Sequence, residues 1–130
     1  MRKTLLALLL AAACSSAVAA WVAVSKTSDN LSTIYADLAT LRKADNKVSV
    51  WYLIDHAKLQ RDSAGNAYRS ETGHKEYDCK LGTARILDFS VHTASMGGGT
   101  SSKPGFVPNQ WQPVPPGRKS IWKLACGSKT

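Results

Sequence analysis

Two groups of side chains in this chain of 130 residues have types that could do chemistry at first sight. Glu71, Glu76, His74, His92 and Arg85 are what a small nuclease needs: a general base, a general acid and a cation for phosphate. No motif fixes any two of them in a useful geometry, and such residues occur in any domain of this length. His56, His74 and His92 invite comparison with metal or haem ligands. They lack a close i, i+2 or i+4 pairing and have no cysteine to spare, and read instead as solvent-exposed strand histidines. Gly97-Gly98-Gly99 is not a phosphate loop, because no lysine-serine pair or helix signal follows it. It reads as a hairpin connection. Catalytic, cofactor-binding and metal-ligating residues are therefore not expected.

Cysteine carries the stronger signal. The chain opens Met1-Arg2-Lys3, continues through an apolar run from Leu5 to Ala13, and reaches Ala17-Val18-Ala19-Ala20. Cations, a short apolar stretch and an A-x-A exit are the three parts of a secretory signal peptide. The run is too short for a transmembrane segment, which takes about 20 residues. Residues 1–20 are thus read as a signal peptide and 21–130 as the mature chain, exported to a compartment where disulfides persist. Cys14 falls inside the leader. Its context, Leu10-Ala11-Ala12-Ala13-Cys14, gives lipidation as a minor reading beside ordinary cleavage after Ala19 or Ala20. Removed or capped, Cys14 leaves Cys79 and Cys126, which should form one bridge.

Removing 20 of 130 residues leaves 110, one domain's worth. Such a chain buries roughly two-thirds of its unfolded surface, and a bridge from 79 to 126 adds about 3–4 kcal/mol on the chain-entropy model. Net charge is +8, and loss of Arg2 and Lys3 with the leader makes it +6. After Asp88 come Lys103, Arg118, Lys119, Lys123 and Lys129 with no acid among them.

The elements that must hold these residues are mostly strands. Trp21 to Lys26 and Leu31 to Asp37 are strand-like, with a turn at Ser28-Asp29-Asn30. Asp45-Asn46 marks the next turn. Val48, Val50, Tyr52 and Ile54 then alternate with Ser49, Trp51, Leu53 and Asp55, a period of two. Both faces carry bulk, which predicts a central strand covered on each side. Ser63-Ala64-Gly65-Asn66 is a turn, followed by a polar strand from Ala67 to about Lys75. In Arg85 to Thr93, Leu87, Phe89 and Val91 share one face and Asp88, Ser90 and His92 the other. Gly97 to Ser102 reads as a flexible stretch. Pro115-Pro116-Gly117 then breaks the strands and can start a helix. Ile121, Trp122, Ala125 and Cys126 lie on one face of that helix, about two turns long. A helix so short is unstable alone and must dock on the sheet. Of the four tryptophans, Trp51 and Trp122 are expected in the core. Trp21 and Trp111 could be exposed, though packing is favoured there too.

Several segments together resemble the bacterial surface-adhesin protein E family. They are Asp37…Leu41-Arg42…Val48-Ser49-Val50-Trp51-Tyr52-Leu53-Ile54-Asp55, then Tyr68-Arg69-Ser70…Glu76-Tyr77-Asp78-Cys79, then Arg85…Leu87 and Met96-Gly97-Gly98-Gly99. Trp111-Gln112-Pro113-Val114-Pro115-Pro116-Gly117 and Trp122…Cys126 complete the series. The resemblance implies an α+β fold: a mainly antiparallel, meander-like sheet of about six short strands, with one C-terminal helix tethered by Cys79–Cys126. It also implies a secreted or surface-anchored Gram-negative protein, in a family whose founding members act as adhesins for host matrix proteins.

The expected role is binding rather than catalysis. Arg118 and Lys119 sit near the start of the predicted helix, where the dipole disfavours cations by about 0.3–1 kcal/mol. With Lys123 and Lys103 they form a candidate basic patch for a host matrix protein, an acidic glycan or lipopolysaccharide. No specific nucleic acid and no cofactor is implied, and a homodimer is compatible with the sequence. The alternatives are a small secreted nuclease-like enzyme and a periplasmic envelope protein without a host ligand.

Overall fold

The computed structural model describes residues 20–105, 107 and 109–127. Residues 1–19 of the expected leader, Cys14 among them, and Lys129 lie outside the described residues. Strands β1 (Trp21–Lys26), β2 (Ser32–Ala44), β3 (Lys47–Arg61), β4 (Ala67–Asp78) and β5 (Thr83–His92) follow in chain order. Two short strands, β6 (Ser101–Ser102) and β7 (Gln112–Pro113), precede the helix α1 (Lys119–Cys126). The sheet order is β1-β2-β3-β4-β5-β6, with β7 also on β5, and every pairing is antiparallel. This is the expected meander, but β2, β3 and β4 are long, at 13, 15 and 12 residues.

Alternation in β3 decides which side is which. Val48, Val50 and Tyr52 join Ile34, Ala36, Tyr77 and Ala84 in a core covered by Ile121 and Ala125 of α1. Trp122 and Cys126 pack against the same cluster, so the helix face read from the sequence is the buried one. The bridge from Cys79 to Cys126 spans 47 positions with Cα atoms 5.4 Å apart, and fastens α1 just past the end of β4. On the chain-entropy model this closure stabilises the fold by about 4 kcal/mol. Gly73, opposite Tyr52 on β4, is required by the tyrosine ring: a Cβ there would lie 2.5 Å from it.

The opposite face of the sheet is covered differently. Leu53 is fully buried although it points away from α1. A 3-10 turn at Ser95–Gly97 lies over it, with position 97 above Leu53 and Thr72. Gly97 has φ of +75°, which glycine adopts without strain. The Met96 amide donates to Asp55 Oδ1 at 2.9 Å and the Gly97 amide to Ser70 Oγ at 2.9 Å, while the Ser70 hydroxyl donates to the Ala94 carbonyl. The stretch expected to be flexible is therefore pinned to β3 and β4, and Ser101–Ser102 pairs with Val91 and His92.

Two expectations about side chains change. Trp51 is half-buried on this second face rather than in the core, because the turn reaches Leu53 and stops short of it. In β5 a bulge slips the register, since Lys75 faces Ile86 but His74 faces Asp88. The extra residue is Leu87, which is 41% exposed. The inward series on β5 is thus Ala84, Ile86, Phe89 and Val91.

Candidate functional site

The residues that suggested a nuclease are divided between the two faces. Glu71 lies on the helix side, where its Oε2 is 2.5 Å from His56 Nε2. His56 Nδ1 is in turn 2.7 Å from Ser32 Oγ. A serine, histidine and carboxylate in series are the parts of a nucleophilic triad. Here Ser32 is only 8% exposed, and its amide, a natural oxyanion donor, is taken by Thr27 Oγ1 at 3.1 Å. The string instead ties β2, β3 and β4 together with partly buried polar bonds.

Glu76, His74, His92 and Arg85 lie on the other face. Arg85 donates from Nε and Nη2 to Glu76 Oε1, both at 2.8 Å. The same guanidinium stacks on Trp111, 4.8 Å from its ring centroid. His74 stacks on Trp51 with centroids 4.9 Å apart and planes 5° apart. His92 Nε2 is 2.7 Å from Thr72 Oγ1, and burial holds its pKa below the ordinary histidine value. The three histidines are all half-buried and partnered, which corrects the expectation of solvent-exposed strand histidines. Among the described residues no three His, Cys, Asp or Glu side chains gather as a metal ion would require.

The candidate basic patch is also divided. Lys103 Nζ lies 2.5 Å from Asp88 Oδ1. Asp88 faces His74 across β4, on the side of the sheet away from α1. Its pKa is lowered, chiefly by that bond to Lys103. Arg118, Lys119 and Lys123 stay together: Arg118 is the N-cap position of α1, and Lys119 and Lys123 follow one turn apart. All three are exposed and make no ion pair among the described residues. No side chain caps the helix start, so cations occupy the end where an acceptor is normally preferred.

Sequence reasoning missed a group of residues beneath that helix start. Lys75, on the helix-facing side of β4, is half-buried with Nζ 5.9 Å from the centroid of the Tyr52 ring and 5.6 Å from that of Tyr77. Burial, and then the Arg118 guanidinium, push its pKa below the usual lysine value. Burial likewise raises Tyr52 and Tyr77 above the normal phenol range. The available signal was Lys75 itself, a lysine at an inward position between Gly73 and Tyr77 in an otherwise polar strand.

The chain is a disulfide-stapled antiparallel meander in which Glu71, Glu76 and Asp88 are paired within the sheet, while Arg118, Lys119 and Lys123 are presented together at the start of one helix. The chain belongs to the surface-adhesin protein E family, which it matches over residues 21–127. It is an adhesin-like binding domain of that family. Among solved structures it is similar to Haemophilus influenzae protein E. One crystal form of that protein has a TM-score of 0.64 at 12% identity, covering 82% of this chain and 86% of the other. A second structure of it has a TM-score of 0.59 at 13% identity, covering 81% and 80%. Protein E from a non-typeable strain has a TM-score of 0.55 at 11% identity, covering 78% and 70%. At these identities the likeness establishes the fold. No curated protein matches the chain. Among the described residues no helix is long and apolar enough to cross a membrane.

Proposed function

We propose that this chain is exported through the leader at residues 1–20 and binds an acidic partner with the basic stripe of Arg118, Lys119 and Lys123. A sulfated glycan, lipopolysaccharide or an acidic host matrix protein has the required chemistry. The observation that carries the reading is the contrast between these three residues and Arg85 and Lys103, the other two described cations that follow the turn between β4 and β5. Arg85 and Lys103 are held by Glu76 and Asp88, whereas the three on the helix are exposed and have no carboxylate partner among the described residues. Lys103 is accordingly a lesser contributor than the sequence alone suggests.

The test is heparin chromatography of the disulfide-intact protein. Exposed charges are screened over about 8–10 Å at physiological salt, so retention should fall steeply as salt is raised. Reversing Arg118, Lys119 and Lys123 to Glu is expected to abolish retention with little change in melting behaviour. Lys103→Ala is expected to elute close to the parent. If the triple variant elutes at the parental salt concentration, the stripe is only a solvated surface.

A further inference from the structure

Between α1 and the sheet lies a cavity of about 230 Å³. It exists because α1 has only eight residues and cannot cover the helix-side face of strands longer than itself. Its apolar wall is formed by Ile54, Ile86, Phe89 and Ile121, and its polar wall by Lys75, Arg118 and Glu71 beside Tyr52. The charges are not balanced within it. The Glu71 carboxylate is engaged by His56 at 2.5 Å. Lys75 and Arg118 have no ion-pair partner among the described residues. Lys75 loses hydration in this half-buried space and is repelled by the exposed Arg118 guanidinium, and an anion between the two relieves both costs.

We propose that this cavity binds a small amphipathic anion, an aromatic or short-chain carboxylate, with its head between Lys75 and Arg118. The apolar body of the ligand lies against Phe89, Ile86 and Ile121. A dry cavity of about 150 Å³ admits a benzene molecule, so this one has room for a ring and a carboxylate head. Glu71, four residues from Lys75 on the same strand, sets the orientation, because its negative charge repels the head toward the two cations. Tyr52 and Tyr77 hold the Lys75 ammonium over their faces, which restricts it before any ligand arrives. The depressed pKa of Lys75 agrees with a cation that lacks its counter-charge. This site lies between the helix and the sheet and shares only Arg118 with the exposed stripe to which the acidic partner was assigned.

Phenylacetate titrated into the disulfide-intact protein tests the proposal, with the Ile86, Phe89 and Ile121 resonances followed by NMR. Those resonances are expected to shift and saturate. Phenylacetamide, of the same shape without the charge, should bind at least tenfold more weakly. Lys75→Met keeps the length of the side chain and removes a desolvated charge. It should weaken phenylacetate at least tenfold while leaving the melting temperature equal or higher. Arg118→Gln should weaken binding in the same direction, giving a second reading of the head-group site. Equal binding of acid and amide, unshifted resonances, or unchanged affinity in the Lys75→Met protein overturns the assignment. The Lys119→Glu, Lys123→Glu variant separates this site from the surface stripe. It should lose heparin retention and keep phenylacetate, and loss of phenylacetate there would move the anion to the surface and sink the cavity site.

Discussion

Gly73 and Tyr52 show how one missing side chain fixes a core position. Gly→Ala usually stabilises by about 0.4–1 kcal/mol through the unfolded state, but here the new Cβ would lie 2.5 Å from a buried aromatic ring. Overpacking costs about 1–3 kcal/mol and outweighs the entropic gain. Gly73→Ala should therefore lower the denaturant midpoint, with a cost toward the low end because the neighbouring cavity can accept part of the ring's displacement. His92 gives a pH dependence. Its folded pKa lies below the unfolded value of about 6.5, so the folded state binds protons less readily than the unfolded chain. Stability is complete above that unfolded value and declines as pH falls through the folded pKa. A histidine titration by NMR should place His92 below 6.5, and His92→Gln should flatten the acid limb of the stability curve.

At the level of elements, the docked helix depends on a covalent link more than on its own length. Eight residues cannot sustain a helix in isolation, and among the described residues only Ile121 and Ala125 of α1 are buried. Cys79→Ser should cost roughly 2–5 kcal/mol, as loss of a native disulfide does in small exported domains. Amide exchange should accelerate in α1 well before it does in β3. The helix face and the limits of β1 were legible in the sequence, because both follow from local periodicity. The bulge at Leu87 was not, since a slipped register exists only relative to the facing strand. Trp51 was misjudged for a related reason. Alternation says that two faces of β3 carry bulk, but not how far a turn 40 residues onward will cover one of them. The site residues divide in the same way. Arg118, Lys119 and Lys123 were visible as a run of charge near a helix start, while the histidine partners and the Lys75 cavity arise from contacts between separate strands.

For the whole molecule, the leader and the bridge make one joint expectation. Exported protein should begin at Ala20 or Trp21, and its intact mass should be two hydrogens lighter than the reduced sequence. A diacylated Cys14 would instead tether it to a membrane. The order of the sheet also bears on how such a chain assembles. Each main pairing joins strands that are neighbours in sequence, so in N-terminus-first translocation the sheet can zip as it emerges, without waiting for distant partners. Cys79 is the exception, because its partner arrives 47 residues later. On the export proposed above, its thiol is unpaired in an oxidising space during that delay, exposed to capture by another chain. Covalent dimers joined through Cys79 are the by-product to look for when oxidation outruns translocation.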